Sequence, residues 1–169
     1  MGAKFSLNSL KVNLKMGESR VDMLLNKKKI LINQTINEIC NLLKDNKKAY
    51  DHARIKCESL LGLEKNISAL EVLKLLMEVV RTRLGLLDAM QQCPLELVEC
   101  ISSIIYAQPR LNNDVPELNT IVKLFYMKYG KKWCDLHVQN ESASVSARII
   151  EYCSVMIPTS DIIKDRLKD

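Results

Sequence analysis

Glycine is scarce in this chain, five among 169 residues, and none stands in a G-x-x-x-x-G-K or G-x-G-x-x-G arrangement. A glycine loop that cradles phosphate is therefore not written into it. His52 and His137 are the two histidines, far apart in sequence, with no H-E-x-x-H motif and no Cys/His cluster of metal-ligand spacing. The six cysteines, Cys40, Cys57, Cys93, Cys100, Cys134 and Cys153, form no C-x-x-C pair. That pattern excludes a zinc site by motif and reads as small apolar residues of a reducing compartment. With two phenylalanines and one tryptophan there is no base-stacking surface, and no nucleic-acid-binding signature is present. No run of about 18 uncharged apolar residues could span a bilayer, and no secretory signal opens the chain. No catalytic residue, metal ligand or cofactor-binding group emerges, and the chain reads as a non-enzyme without a cofactor.

What is present is helical periodicity. With 47% apolar and 27% charged residues the chain has the composition of one globular domain spanning 1–169. From about Phe5 to Asp45, Leu7, Leu10, Leu14, Val21, Leu24, Leu25, Ile32, Ile36, Ile39, Leu42 and Leu43 fall in one broad stripe at about 100° per residue, the core-facing side. A second apolar row, Phe5, Val12, Met16, Met23 and Ile30, lies nearly opposite. Lys4, Lys11, Lys15 and Lys29 flank it on one side, Arg20 and Lys27 on the other. Two readings stand: a helix wedged between two neighbours of its own domain, or a lysine-edged surface for a membrane or partner subunit.

Charge sharpens the second reading. The net charge is +5, and residues 1–48 hold ten Lys/Arg against four Asp/Glu, while the remainder is nearly balanced. Such a polarised helix suits anionic lipid, an acidic protein or nucleic acid, the last least supported. The start also fits an N-myristoylation pattern, with Gly2 as acceptor and Ser6 four residues on, and one acyl chain plus a basic helix is a two-signal membrane anchor.

The polar break Asp45-Asn46-Lys47-Lys48 returns the chain into a second helix from about Ala49 to Met90. Two such helices make a hairpin about 60 Å long. Gly62, Asn66 and the box Ser68-Ala69-Leu70-Glu71 predict a kink near residues 62–68. Pro94 is placed to open a shorter helix that stops before Pro109. Asp114 to Glu117 forms a capping sequence for the next, which Gly130 ends. Further helices are expected over Lys131 to Val138 and Ser144 to Ser154, and a last one capped by Thr159-Ser160-Asp161. No strand is expected, so the fold class is all-α.

The segments SLKVNLKMGESRVDMLLNKKK, ARIKCESLL at 53–61, ALEVLKLLMEVVRTRLGLLDAM at 69–90 and SSIIYAQPRLNNDVPEL at 102–118 resemble the N-terminal domain of the increased-sodium-tolerance family of ESCRT-III proteins. The resemblance covers almost the whole chain. It implies a long antiparallel helical hairpin with shorter helices packed against it. It further implies co-assembly with a partner ESCRT-III subunit into filaments on membranes, in endosomal sorting, membrane remodelling and abscission, and regulation of the AAA ATPase that dismantles them. The location implied is cytoplasmic, peripheral on endosomal membranes.

The family's groove for the partner subunit's C-terminal helix would map to Arg54, Lys56 and Glu58 on the second helix, with Ile149 and Tyr152 on a late one. A helix in an apolar groove with charged edges is a general recognition mode. Lys56 stands where the family favours arginine, which weakens bidentate pairing, and Pro116 stands where a small residue is expected. The chain stops at Asp169 without the tail motifs that bind the ATPase's MIT domain, so a domain of a longer protein is expected, contacting the ATPase indirectly or through that tail. A soluble helical adaptor that binds a helical peptide and never polymerises is the alternative.

Overall fold

The computed structural model describes residues 4–45, 49–154 and 160–168. Among them the chain forms eight helices and no strand: α1 (Leu7–Asp45), α2 (Tyr50–Thr82), α3 (Leu84–Ala89), α4 (Leu95–Leu111), α5 (Glu117–Tyr129), α6 (Lys131–Val138), α7 (Ala147–Cys153) and α8 (Ser160–Lys168). The first two pair as the expected hairpin. Leu10, Leu14, Val21, Leu25 and Ile39 of the broad stripe are buried, and only its last member, Leu43, is exposed. Gly17 of α1 is tightly packed: an added Cβ would lie 3.0 Å from Met77 Sδ of α2 and 3.8 Å from Glu117 Cβ of α5.

Polar groups lock the register of the hairpin. Arg81 of α2 donates to both oxygens of the nearly buried Glu18, at 2.7 and 3.1 Å. Lys74 meets Asp22 at 2.6 Å, and Lys28 donates to Asn66 Oδ1 at 2.6 Å. Asn66 in turn donates to Asp114 Oδ2 at 3.1 Å, carrying the network to the loop before α5. Each exposed pair contributes little alone; the value of the set is that only one alignment satisfies all of them.

The main core lies where α4 and α5 pack on the α1–α2 hairpin, around Leu70, Leu73, Met77, Ile101, Ile104, Leu118 and Phe125. A smaller cluster of Ile39, Ala53, Cys57, Leu60 and Ile163 sits near the hairpin turn.

Four local expectations are corrected. The helix α2 runs without interruption through 62–68: Gly62 faces open space, and Ser68 Oγ donates back to Glu64 O at 3.2 Å rather than capping. The break falls instead at Arg83, whose N–H bonds Val80 O in a tight turn, dividing α2 from α3. Pro109 lies inside α4. Sitting in the last turn, it interrupts little, and the Arg110 guanidinium secures that turn by donating to Tyr106 O at 2.8 Å and Val138 O at 3.0 Å while covering the Tyr106 ring. The sequence Asp114 to Glu117 makes no side-chain cap, because Asp114 faces Asn66 and Lys28 and Glu117 faces Arg20. By contrast Pro94 does precede α4, and Gly130, at φ +85°, ends α5. The α7 helix starts at Ala147, and Thr159 lies outside the described residues.

Candidate partner-binding surfaces

The second apolar row of α1 is largely uncovered. Val12, Met16, Met23 and Ile30 are 44%, 50%, 66% and 60% exposed. The α5 helix meets α1 at Gly17 and Arg20 and leaves these four side chains in solvent. Phe5 differs: it packs on the main core, and Lys128 Nζ stands 5.1 Å from its ring centre. Lys4, Lys11, Lys15, Lys27 and Lys29 are exposed, with Lys29 reaching 4.0 Å from Glu71. Arg20 is committed inward, donating through Nε to both oxygens of Glu117. Its charge is thus offset within the chain. Gly2 lies outside the described residues.

The residues assigned to a partner-helix groove are not brought together into one lining. Arg54, Lys56 and Glu58 sit in the first turns of α2, where α8 also packs, its Ile163 buried among Ala53, Cys57 and Leu60. Lys56 Nζ lies 2.6 Å from Glu38 Oε2 on α1, and Arg166 Nε 3.0 Å from Glu64 Oε1. Glu58 is exposed, as is Ile55 at 60%. The α7 helix packs further along α2, where Lys65 Nζ reaches Ser154 Oγ at 3.1 Å. Its Ile149 is fully buried in the main core rather than lining an open groove. Tyr152 is half-buried against the same core.

Among the described residues no group of three or more His, Cys, Asp or Glu could hold a metal ion. His137 is buried with Nδ1 at 2.7 Å from Ser142 Oγ, and Ser142 and Ser144 lead on to Ser102, a chain of hydroxyls without a carboxylate. Burial pushes the Cys93 and Cys134 thiols up to about 12, which suppresses the thiolate needed for nucleophilic chemistry. No described helix is long and apolar enough to cross a membrane. Sequence reasoning missed the Arg20–Glu117 pair, since no local spacing links residues so far apart. It was also silent on α8 covering the start of α2.

A long helical hairpin, shorter helices packed along it and charged, uncovered helix faces define an ESCRT-III-type domain. The chain belongs to the Ist1 family, described as "Regulator of Vps4 activity in the MVB pathway", which residues 11–169 match. An IST1-like protein of Dictyostelium discoideum is 30% identical over 173 residues, covering 99% of this chain and 44% of that protein. The chain thus spans less than half the length of this curated relative. A crystal structure of the N-terminal domain of Ist1 from S. cerevisiae, solved in complex with the Did2 MIM motif, superposes with a TM-score of 0.85 at 25% identity, covering 99% of this chain and 90% of that one.

Proposed function

We propose that this domain is an assembly and regulatory subunit of the ESCRT-III system. It co-assembles with a partner ESCRT-III subunit on cytoplasmic faces of endosomal membranes and modulates Vps4, the ATPase that disassembles the filaments. The observation that carries this reading is the likeness, across nearly the full chain, to an Ist1 domain solved with a Did2 MIM motif; the family description supplies the Vps4 link.

The partner subunit's C-terminal helix lies along the first half of α2, with Arg54, Lys56 and Glu58 as charged edges and Ile55 as an uncovered apolar contact. Alternating charge on one edge sets the register of a bound helix, and apolar burial supplies affinity. Tyr152 borders the site and Ile149 supports it from the core. The apolar row and lysines of α1 form a second face, toward the polymer or an acidic membrane.

A fluorescein-labelled peptide of a partner subunit's C-terminal helix, titrated into this domain and followed by anisotropy, tests the α2 site. Saturable binding that Arg54→Glu and Glu58→Arg each weaken by tenfold or more, in variants that circular dichroism shows to be folded, is expected. Binding that ignores both substitutions, or no binding, overturns it.

A further inference from the structure

At the end of the hairpin remote from its turn, the α3–α4 linker, the end of α5 and the start of α6 enclose a cleft of about 460 Å³. Tyr129 and Trp133 line it with ring centres 5.2 Å apart and planes tilted by 59°. Leu95 stands on its rim at 92% exposure, with Met90, 41% exposed, close by in the linker. Both are large apolar groups that the fold leaves exposed. The linker itself is extended at Met90 (φ −120°, ψ 138°) and Pro94 (φ −58°, ψ 138°). Among the described residues, no backbone carbonyl accepts from the N–H groups of residues 91–93.

Charge at the cleft has one sign. Lys128 is its single charged lining residue. Its Nζ lies 5.1 Å from the Phe5 ring centre and 5.8 Å from that of Tyr129, and it has no carboxylate partner among the described residues. The exposed Lys131 and Lys132 follow just before Trp133. Glu96, the acidic residue beside Leu95, is paired with Arg83.

We propose that this cleft docks an extended acidic peptide that places one large apolar side chain against Trp133 and Leu95 and a carboxylate on Lys128. An aromatic floor takes the apolar anchor, and the free N–H groups of the linker offer main-chain hydrogen bonds to an extended strand. The lysine selects against basic sequences. A small ligand would fill the cleft and leave Leu95 and the open backbone uncovered, whereas a peptide chain covers both. The cleft is separated from Arg54 by nearly the length of α2, about 40 Å at 1.5 Å per residue. A peptide here and a helix at the start of α2 can therefore be held together by one molecule, and the cleft does not depend on that other site.

Trp133 is the only tryptophan, so its emission reports the cleft directly. The probes are a synthetic ten-residue peptide with a central phenylalanine flanked by aspartate and glutamate, its counterpart with lysine in the acidic positions, and phosphatidylserine vesicles. The acidic peptide is expected to shift Trp133 emission saturably, the basic peptide to do so at least tenfold more weakly. Leu95→Ser should weaken the acidic peptide at least fivefold, and Lys128→Glu should reverse the preference. Should Lys128→Glu fail to fold by circular dichroism, Leu95→Ser, changing an exposed side chain, decides alone. Equal response to both peptides, wild-type binding by Leu95→Ser, or a response to vesicles only overturns the proposal.

Discussion

Arg20 of α1 and Glu117, the first residue of α5, are joined by a pair in which Arg20 Nε donates to both carboxylate oxygens, at 2.8 Å to Oε2. Glu117 is 6% exposed and Arg20 43%. A carboxylate withdrawn from water thus depends on a cation that reaches it from the surface.

Arg20→Ala should therefore destabilise the fold by about 2 kcal/mol, because it strands the carboxylate. For a domain of this size that lowers Tm by roughly 4–8 °C. The double variant Arg20→Ala with Glu117→Gln should recover part of the loss, since the amide carries no charge to strand. Thermal unfolding of the three proteins measures this, and a double variant no better than Arg20→Ala removes the charge argument.

The glycines of the hairpin should respond in opposite directions. Gly62 is in the middle of α2 with nothing within 4 Å of an added Cβ, so Gly62→Ala should stabilise by about 0.5–1 kcal/mol through helix propensity. Gly17→Val drives a branched side chain into the buried Met77 and should cost about 1–3 kcal/mol. Urea midpoints at equal slope test both.

Acid should loosen the α6 region through His137. Burial lowers its pKa, and its Nε2 is buried without a hydrogen-bond partner, so the folded state holds the ring neutral. The unfolded chain takes up a proton below about pH 6.5. The stability gained from the neutral ring is thus complete above that pH and declines as pH falls toward the lowered folded pKa, by at most about 1.4 kcal/mol per pH unit. Urea unfolding at pH 7.5, 6.5 and 5.5 should show this decline, and His137→Gln should flatten it.

The lysine face of α1 should act through long-range charge. Lys4→Glu with Lys11→Glu and Lys15→Glu should reduce co-sedimentation with phosphatidylserine vesicles or partner filaments several-fold at low salt. Raising salt toward 0.5 M should erode wild-type binding similarly. Those side chains are exposed and make no ion pair among the described residues, so stability should be nearly unchanged. Full sedimentation of the triple variant would move the contact elsewhere.

The hairpin and its core side were legible because they rest on repeated spacing: Leu10, Leu14, Val21 and Leu25 recur at helical intervals, and each is buried. Gly130 was legible because ending a helix with positive φ is a local demand on one residue. The misreadings share a physical cause. Ser68-to-Glu71 and Asp114-to-Glu117 have the local form of caps, but their environments were decided elsewhere, by the packed length of α2 and by Arg20 from a distant turn. Pro109 is tolerated because Arg110 bonds across to Val138, a partner that sequence spacing does not reveal. Of the groove, the α2 residues could be placed on a helix face from sequence. Ile149 could not, since apolar character is the same in a core and in a binding site.

The exposed row of α1 has a shape as well as a polarity. Val12, Met16, Met23 and Ile30 are separated by steps of four, seven and seven residues. On a helix of 3.6 residues per turn each seven-residue step falls about 20° behind, and a four-residue step advances about 40°. The lags and the advance cancel, so the row runs parallel to the helix axis for roughly 27 Å instead of winding around it. A second helix could lie along it without coiling, and a flat layer could meet all four side chains at once. The bend of any filament built on this face would have to come from the joints between molecules.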